Sequence, residues 1–189
     1  MKIPSLASAR RLIWLPLVSG LFLGATSAVP QPVAHDAEDT QTVGRNVAPK
    51  TGEAAIEFDL KTLDGQSVRL DTFRGKPLMI NFFATWCDPC REEMPLINTL
   101  ASKAARNGYS VLGIAVQDSR SAVTEFAREA GLVFPLALDL NSKVQRAYRI
   151  FGPPATFFID GEGVLRDTVL GPLTPERARE ALEKAGVRR

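Results

Sequence analysis

The sequence predicts an α/β domain built on a mixed sheet flanked by helices. Three observations carry that prediction. Residues 78–83 and 109–116 are apolar almost throughout, as strands buried on both faces of a sheet are. Runs with helical spacing of apolar residues follow each of them, at 91–107 and 121–130. Near the C-terminus two extended runs flank Asp160-Gly161-Glu162-Gly163, a turn that makes the second run return antiparallel to the first. The resulting order, β-hairpin then β-α-β-α-β-α-β-β-α, fits helices on both faces of a mixed sheet.

The N-terminal segment stands apart from this pattern. Lys2, Arg10 and Arg11 form a positive flank, and residues 12–28 are uncharged and mostly apolar, ending in Thr26-Ser27-Ala28. That is the layout of a signal peptide or of an N-terminal membrane anchor over residues 1–28. Either reading puts the domain in the periplasm or another extracytoplasmic space, where disulfides persist. The chain has 23 Lys and Arg against 21 Asp and Glu, a net +2. The leader holds three of the basic residues and no acidic one, which leaves 20 against 21, or −1, for the rest. A near-neutral domain gives no reason to expect nucleic-acid binding. Residues 29–46, rich in Pro, Ala, Thr and charge, read as a linker, and residues 47–189 as the folded domain.

Within the domain, Ile56 and Phe58 alternate with Glu57 and Asp59 as in a half-buried strand. Asp64-Gly65 is a hairpin turn, and Ser67–Leu70 the returning strand. Residues 71–76 form a turn or short helix before the apolar strand 78–83, whose polar exception is Asn81. The helix after it carries Met94, Ile97 and Leu100 on one stripe and a Pro95 that interrupts its hydrogen bonding. Ser121 is the expected cap of the next helix, which Gly131 ends. Residues 133–138 are extended, and Asn141 or Ser142 starts a short helix through Tyr148. Gly152-Pro153-Pro154-Ala155-Thr156 leads into the strand 157–159, and Val164–Leu170 is its return. Thr174 and Pro175 open the last helix as cap and first helical residue.

The chemistry concentrates in Trp86-Cys87-Asp88-Pro89-Cys90, which holds both cysteines of the chain. A Cys-x-x-Cys between a strand and a helix reads as a redox pair. At the helix cap, Cys87 meets free backbone N–H groups and the positive end of the helix dipole, which stabilise a thiolate. Cys90 follows one turn later on the same face, within reach of a disulfide. Zinc would need about four ligands, and the only histidine, His35, lies far away in the linker. No metal site and no cofactor are expected. A reading of another class keeps the same two thiolates as soft ligands for Cu(I), making the protein a metallochaperone. A peroxidase is disfavoured by the dithiol spacing.

Two stretches together resemble the TlpA/ResA-like branch of the thioredoxin superfamily. One is Asn81-Phe82-Phe83-Ala84-Thr85-Trp86-Cys87-Asp88-Pro89-Cys90-Arg91-Glu92-Glu93-Met94-Pro95, and the other is Tyr148 to Asp160, YRIFGPPATFFID. The resemblance covers about residues 47–187. It implies a thioredoxin-like mixed sheet flanked by helices, decorated by an N-terminal β-hairpin and an inserted strand-helix segment. It implies that Cys87 is the attacking thiol and Cys90 the resolving one, that Pro154 is cis and faces the disulfide, and that Trp86, Pro153 and Pro154 meet the substrate. Pro153 departs from the usual pattern. Asn81 stands where similar cytosolic thioredoxins carry a buried acid, so Glu93, one turn beyond Cys90, becomes the candidate for proton transfer. The activity implied is that of an exported thiol-disulfide oxidoreductase, a reductant in cytochrome c maturation or copper-site assembly. Its partners would be disulfide-bearing proteins such as apocytochrome c or copper-site proteins, and a membrane electron donor, with a membrane tether through residues 12–28.

Overall fold

A computed structural model describes residues 48–188. The expected leader at 1–28, the linker at 29–46 and His35 lie outside the described residues. Among the described residues, no helix is long and apolar enough to cross a membrane.

Seven strands form one sheet in the order β2-β1-β5-β4-β3-β6-β7. They are β1 (Asp59–Thr62), β2 (Ser67–Arg69), β3 (Leu78–Phe83), β4 (Ser110–Val116), β5 (Leu136–Asp139), β6 (Ala155–Ile159) and β7 (Leu165–Leu170). The helices are α1 (Asp88–Ala104), α2 (Arg120–Glu129), α3 (Lys143–Ala147) and α4 (Pro175–Lys184), with a 3-10 turn at Leu70–Phe73. β3, β4 and β5 run parallel at the centre. β6 and β7 add antiparallel on one side, and the β1–β2 hairpin joins antiparallel through β5 on the other. The fold is therefore the mixed, helix-flanked sheet that the sequence predicts.

β3 lies inside the sheet between β4 and β6, and every one of its residues is buried. Successive side chains of a strand point to opposite faces. Leu78, Ile80 and Phe82 enter one core with Leu112, Ile114, Phe157 and Tyr148. Met79 and Phe83 enter the other with Met94 and Ile97 of α1, Val123 and Phe126 of α2, and Leu182 of α4. Fully burying such a side chain is worth about 1.5–3 kcal/mol. In the first core Tyr148 and Phe157 meet edge to face at 4.8 Å between ring centres. The Tyr148 hydroxyl donates to the Ile56 carbonyl at 2.8 Å, which fastens the start of the domain to the core.

Several boundaries differ from the sequence reading, each for a local reason. Ile56 and Phe58 precede β1 rather than belonging to it. Upstream of β1 the backbone pairs with the turn before β7, through the Ala54–Val164 bridge and the Ala55 N–H to the Gly163 carbonyl. α1 starts at Asp88, as the cap expected at Cys87 requires, three residues before the run of helical spacing at 91. α2 is capped by Ser119, not Ser121, since the Ser119 hydroxyl accepts from the Ala122 N–H at 3.1 Å. The last helix opens as expected, with Thr174 accepting from Arg177 N–H. It closes on Gly186 at φ +95, where the Val187 N–H reaches the Leu182 carbonyl at 2.9 Å.

Because β3, β4 and β5 are parallel, their carboxyl ends lie side by side. Three loops gather there: 84–87 after β3, 117–119 after β4 and 140–142 after β5. That end of a parallel sheet is where α/β folds build their sites.

Candidate active site

The strand-to-helix turn after β3 holds Cys87 in extended backbone, and α1 begins at the next residue. Asp88 and Pro89 occupy the first helical positions, where a missing N–H costs no intrahelical bond. The Cys90 N–H donates to Cys87 Sγ at 3.3 Å, so the sulfur itself caps the helix. Cys87 and Cys90 form a disulfide, with their Cα atoms 5.3 Å apart. Cys87 keeps 6% of its surface exposed and Cys90 none. The disulfide is therefore open to solvent from the Cys87 side.

Across from Cys87 runs the loop before β6. The Pro153–Pro154 peptide is cis, and the Pro153 carbonyl oxygen lies 3.6 Å from Cys87 Sγ. A disulfide sulfur has no hydrogen to donate there, but a reduced Cys87 thiol would have one. The Pro154 carbonyl is occupied, accepting from the Gly171 N–H at 3.0 Å. Pro153, being a proline, has no N–H. Trp86 borders the same surface with 57% of its area exposed, and its indole N–H donates to the Gln117 carbonyl at 3.0 Å. Phe151 is fully exposed on the loop leading to Pro153.

Glu93 sits on the buried side of α1, one turn past Cys90. Its Oε1 accepts from Asn81 Nδ2 at 2.8 Å and its Oε2 from the Leu173 N–H at 2.6 Å. Asn81 Nδ2 also donates to Thr156 Oγ1 at 3.1 Å, while its Oδ1 is buried without a partner. Burial pushes the Glu93 carboxyl above the usual glutamate range, and the bonds from Leu173 and Asn81 pull it back only in part. Both hydrogen-bond partners are neutral, so neither offsets the loss of water as a cation would.

The structure thus brings Cys87, Cys90, Pro153 and Pro154 into one cluster with Trp86 at its edge. Glu93 lies inward of the pair, bridging α1, β3 and the approach to α4. Among the described residues there is no group of three or more His, Cys, Asp or Glu arranged to hold a metal. Four polar contributors escaped the sequence reading. Thr156 completes the Asn81–Glu93 contact. Asp118 accepts from the Thr85 N–H at 2.6 Å and so holds the turn before Trp86. Gln117 carries the indole, and Gln145, from α3, donates from its own amide to the Ile150 carbonyl at 3.2 Å. Gln117 and Asp118 follow a buried parallel strand directly, and that position alone marks them for attention.

The sequence pattern of the AhpC/TSA family matches residues 51–168. The thiol-disulfide oxidoreductase ResA of Geobacillus thermodenitrificans is 36% identical over 136 residues, covering 72% of this chain and 78% of the relative. The ResA of Oceanobacillus iheyensis is 32% identical over 163 residues, covering 84% and 82%. Among solved structures, a thiol:disulfide interchange protein of the thioredoxin family from Chlorobium tepidum superposes with a TM-score of 0.64 at 26% identity, covering 74% of this chain and 99% of that one.

Proposed function

The chain belongs to the AhpC/TSA family and, like the ResA proteins, is a thiol-disulfide oxidoreductase, and from that premise we propose that it is a reductant of protein disulfides in an extracytoplasmic compartment. The observation that carries this reading is the asymmetry of the pair. Cys87 is at the helix cap with a face open to partners, and Cys90 is sealed beneath it.

In the reduced protein, the Cys87 thiolate attacks one sulfur of a substrate disulfide. The substrate's other sulfur leaves as a thiolate and takes up a proton. Cys90, deprotonated, then attacks Cys87 Sγ in the mixed disulfide, expelling the second substrate thiol and forming the Cys87–Cys90 disulfide. Two electrons pass to the substrate, and a donor, proposed to lie in the membrane, restores the dithiol. Glu93 is the group proposed to accept the Cys90 proton, because a carboxyl held above its usual range can exchange protons nearer neutrality. Trp86, Pro153 and Pro154 are proposed to receive the substrate chain.

The reducing direction is supported by the acids around the pair. Asp88 beside Cys87, and Glu93 when ionised, both oppose a thiolate. Strongly oxidising pairs owe their potential to a stabilised reduced form. The leader at 1–28 supports export, and apocytochrome c or copper-site proteins are the proposed substrates. The test is a trapping experiment. Cys90→Ser is expected to accumulate mixed disulfides with substrate on non-reducing gels, and Cys87→Ser to accumulate none. Equal trapping by both variants would remove the division of roles. A measured reduction potential near −120 mV, as in strong oxidants, rather than about −270 mV would reverse the direction.

A further inference from the structure

Two parts of the candidate site come from loops far apart in sequence, the turn at Trp86 and the loop ending in Pro153-Pro154. A hydrogen-bonded chain joins them, running from the exposed Trp86 and Gln117 inward to the buried Gln145. The Trp86 indole donates to the Gln117 carbonyl at 3.0 Å. Gln117 Nε2 donates to Gln145 Oε1 at 3.0 Å. Gln145 Nε2 donates to the Ile150 carbonyl at 3.2 Å, and the Ile150 N–H returns to the Gln145 carbonyl at 3.1 Å. Ile150 is the residue from which the loop 151–154 departs. Gln145 is itself held by the Asp139 carboxylate, which accepts its backbone N–H at 2.7 Å at the carboxyl end of β5.

Three further features mark Gln145. It is a buried polar side chain, 4% exposed, in a helix of five residues. Its amide oxygen and nitrogen are both used, so the ring of contacts closes around it. Finally, the described non-glycine residues with left-handed backbone, Gln117, Ser142 and Arg149, all adjoin this network. Gln117 bonds to Gln145, Ser142 begins its helix, and Arg149 precedes Ile150. Such backbone is unfavourable for residues with a Cβ and persists where surrounding contacts impose it. Here it lets Gln117 turn its carbonyl to Trp86 while its side chain reaches inward.

We propose that Gln145 is a positioning residue that sets Trp86 and the Pro153–Pro154 loop at a fixed separation across the mouth of the disulfide, and so governs recognition of polypeptide substrates. It touches neither sulfur. It acts on the turn through Gln117 and on the loop through Ile150. Polypeptide disulfides, which span both borders, depend on this setting, whereas small disulfides, which meet only Cys87, do not. The inference rests on the reading of Trp86, Pro153 and Pro154 as the substrate contact.

The experiment uses the full chain carrying Trp14→Phe, which leaves Trp86 as the one tryptophan of two. Reduction of insulin and of hydroxyethyl disulfide is followed for the parent, Gln145→Leu, Gln117→Ala, the double variant and Pro154→Ala, together with Trp86 emission in both redox states. Gln145→Leu is expected to raise the KM for insulin about tenfold, the worth of one or two hydrogen bonds, with kcat and the small-disulfide rate within about twofold. The Trp86 emission difference between redox states shifts in Gln145→Leu and Gln117→Ala alike, and the double variant is no worse than either single one, because both break one chain. If Gln145→Leu fails to fold, Gln117→Ala, which leaves α3 intact, carries the same expectation. Equal losses on both substrates, an unchanged insulin KM, or additive effects overturn the proposal. Should Pro154→Ala leave insulin kinetics untouched, the substrate reading itself fails; should Pro154→Ala raise KM while Gln145→Leu and Gln117→Ala do not, only the role of Gln145 does.

Discussion

Glu93 and Asp160 are both buried carboxyl groups packed against the same sheet, and the protein treats them in opposite ways. Asp160 follows β6 at the end of the sheet away from the disulfide. Its Oδ1 accepts from the N–H groups of Glu162 and Val164 at 3.0 and 2.8 Å, and its Oδ2 from Arg166 Nε at 2.5 Å. Burial pushes its pKa up, but the Val164 N–H, Arg166 and the Glu162 N–H together hold it below the usual aspartate range. Glu93 has no such cation among its hydrogen-bond partners, and burial wins there. Asn81 Oδ1 and Asp139 Oδ1 are also buried without partners, whereas the Asp160 turn is saturated. One end of the sheet spends its polar groups on holding together. The other holds a carboxyl raised above its usual range one turn of α1 from Cys90, the arrangement expected where protons move.

The contrast is broken most sharply at Glu93. Glu93→Gln is expected to slow resolution of the mixed disulfide by ~10²-fold, the ordinary worth of a general acid–base group, while the fold remains. Stopped-flow exchange with a model disulfide measures it. The same variant tests the pH linkage. A carboxyl raised in the folded state binds more protons there than when unfolded. Stability therefore falls as pH climbs from the ordinary glutamate value through the folded one. Denaturant unfolding across weakly acidic pH is expected to show that fall in the wild type, and a flatter profile in Glu93→Gln. For Asp160 the sign reverses, since its stabilisation is present above the unfolded carboxyl value and is lost as pH drops through the depressed folded one.

Asp160→Ala is the next largest effect, a loss of about 2–3 kcal/mol measured by urea unfolding, because it strands two backbone N–H groups and Arg166. Exchange rates should not change. A slower exchange at unchanged stability would dissolve the distinction between the two ends. The smallest effect is expected three residues on. Gly163 has φ +80, and a Cβ there would run into the Arg74 guanidinium, which donates to the Glu162 carbonyl. That guanidinium is the end of a flexible side chain, so the backbone strain dominates. Gly163→Ala should cost about 1–2 kcal/mol in the same unfolding experiment and leave the thiol chemistry alone.

Much of the frame was legible because it rests on local chemistry. A run that is apolar but for Asn81 puts β3 inside the sheet, and Thr174-Pro175 marks a helix start without help from the rest of the chain. The Cys-x-x-Cys placed its own helix, and Glu93 could be put on the face of Cys90 by counting. What escaped depends on distant partners. Nothing near Asn81 announces Thr156, which is 75 residues away, nor near Glu93 the Leu173 N–H, 80 residues away. Nothing in the short helix singles out Gln145 until the fold lays it against Ile150 and Gln117. The Ile56–Phe58 alternation predicts a strand correctly in burial but not in pairing, since hydrogen bonds and not side chains decide where β1 begins.

Pro153 has a consequence for traffic through the site. A loop that meets a guest chain edge-on ordinarily offers both halves of a backbone ladder. Here the half that gives hydrogen is missing at 153, and the Pro154 oxygen is already taken by Gly171. At these two residues what is left is the Pro153 oxygen, 3.6 Å from Cys87 Sγ. On the proposed reading, the guest must bring the hydrogen itself, at the residue next to its own cysteine. A chain with proline at that place has none to bring and would be turned away by its backbone, whatever its side chains.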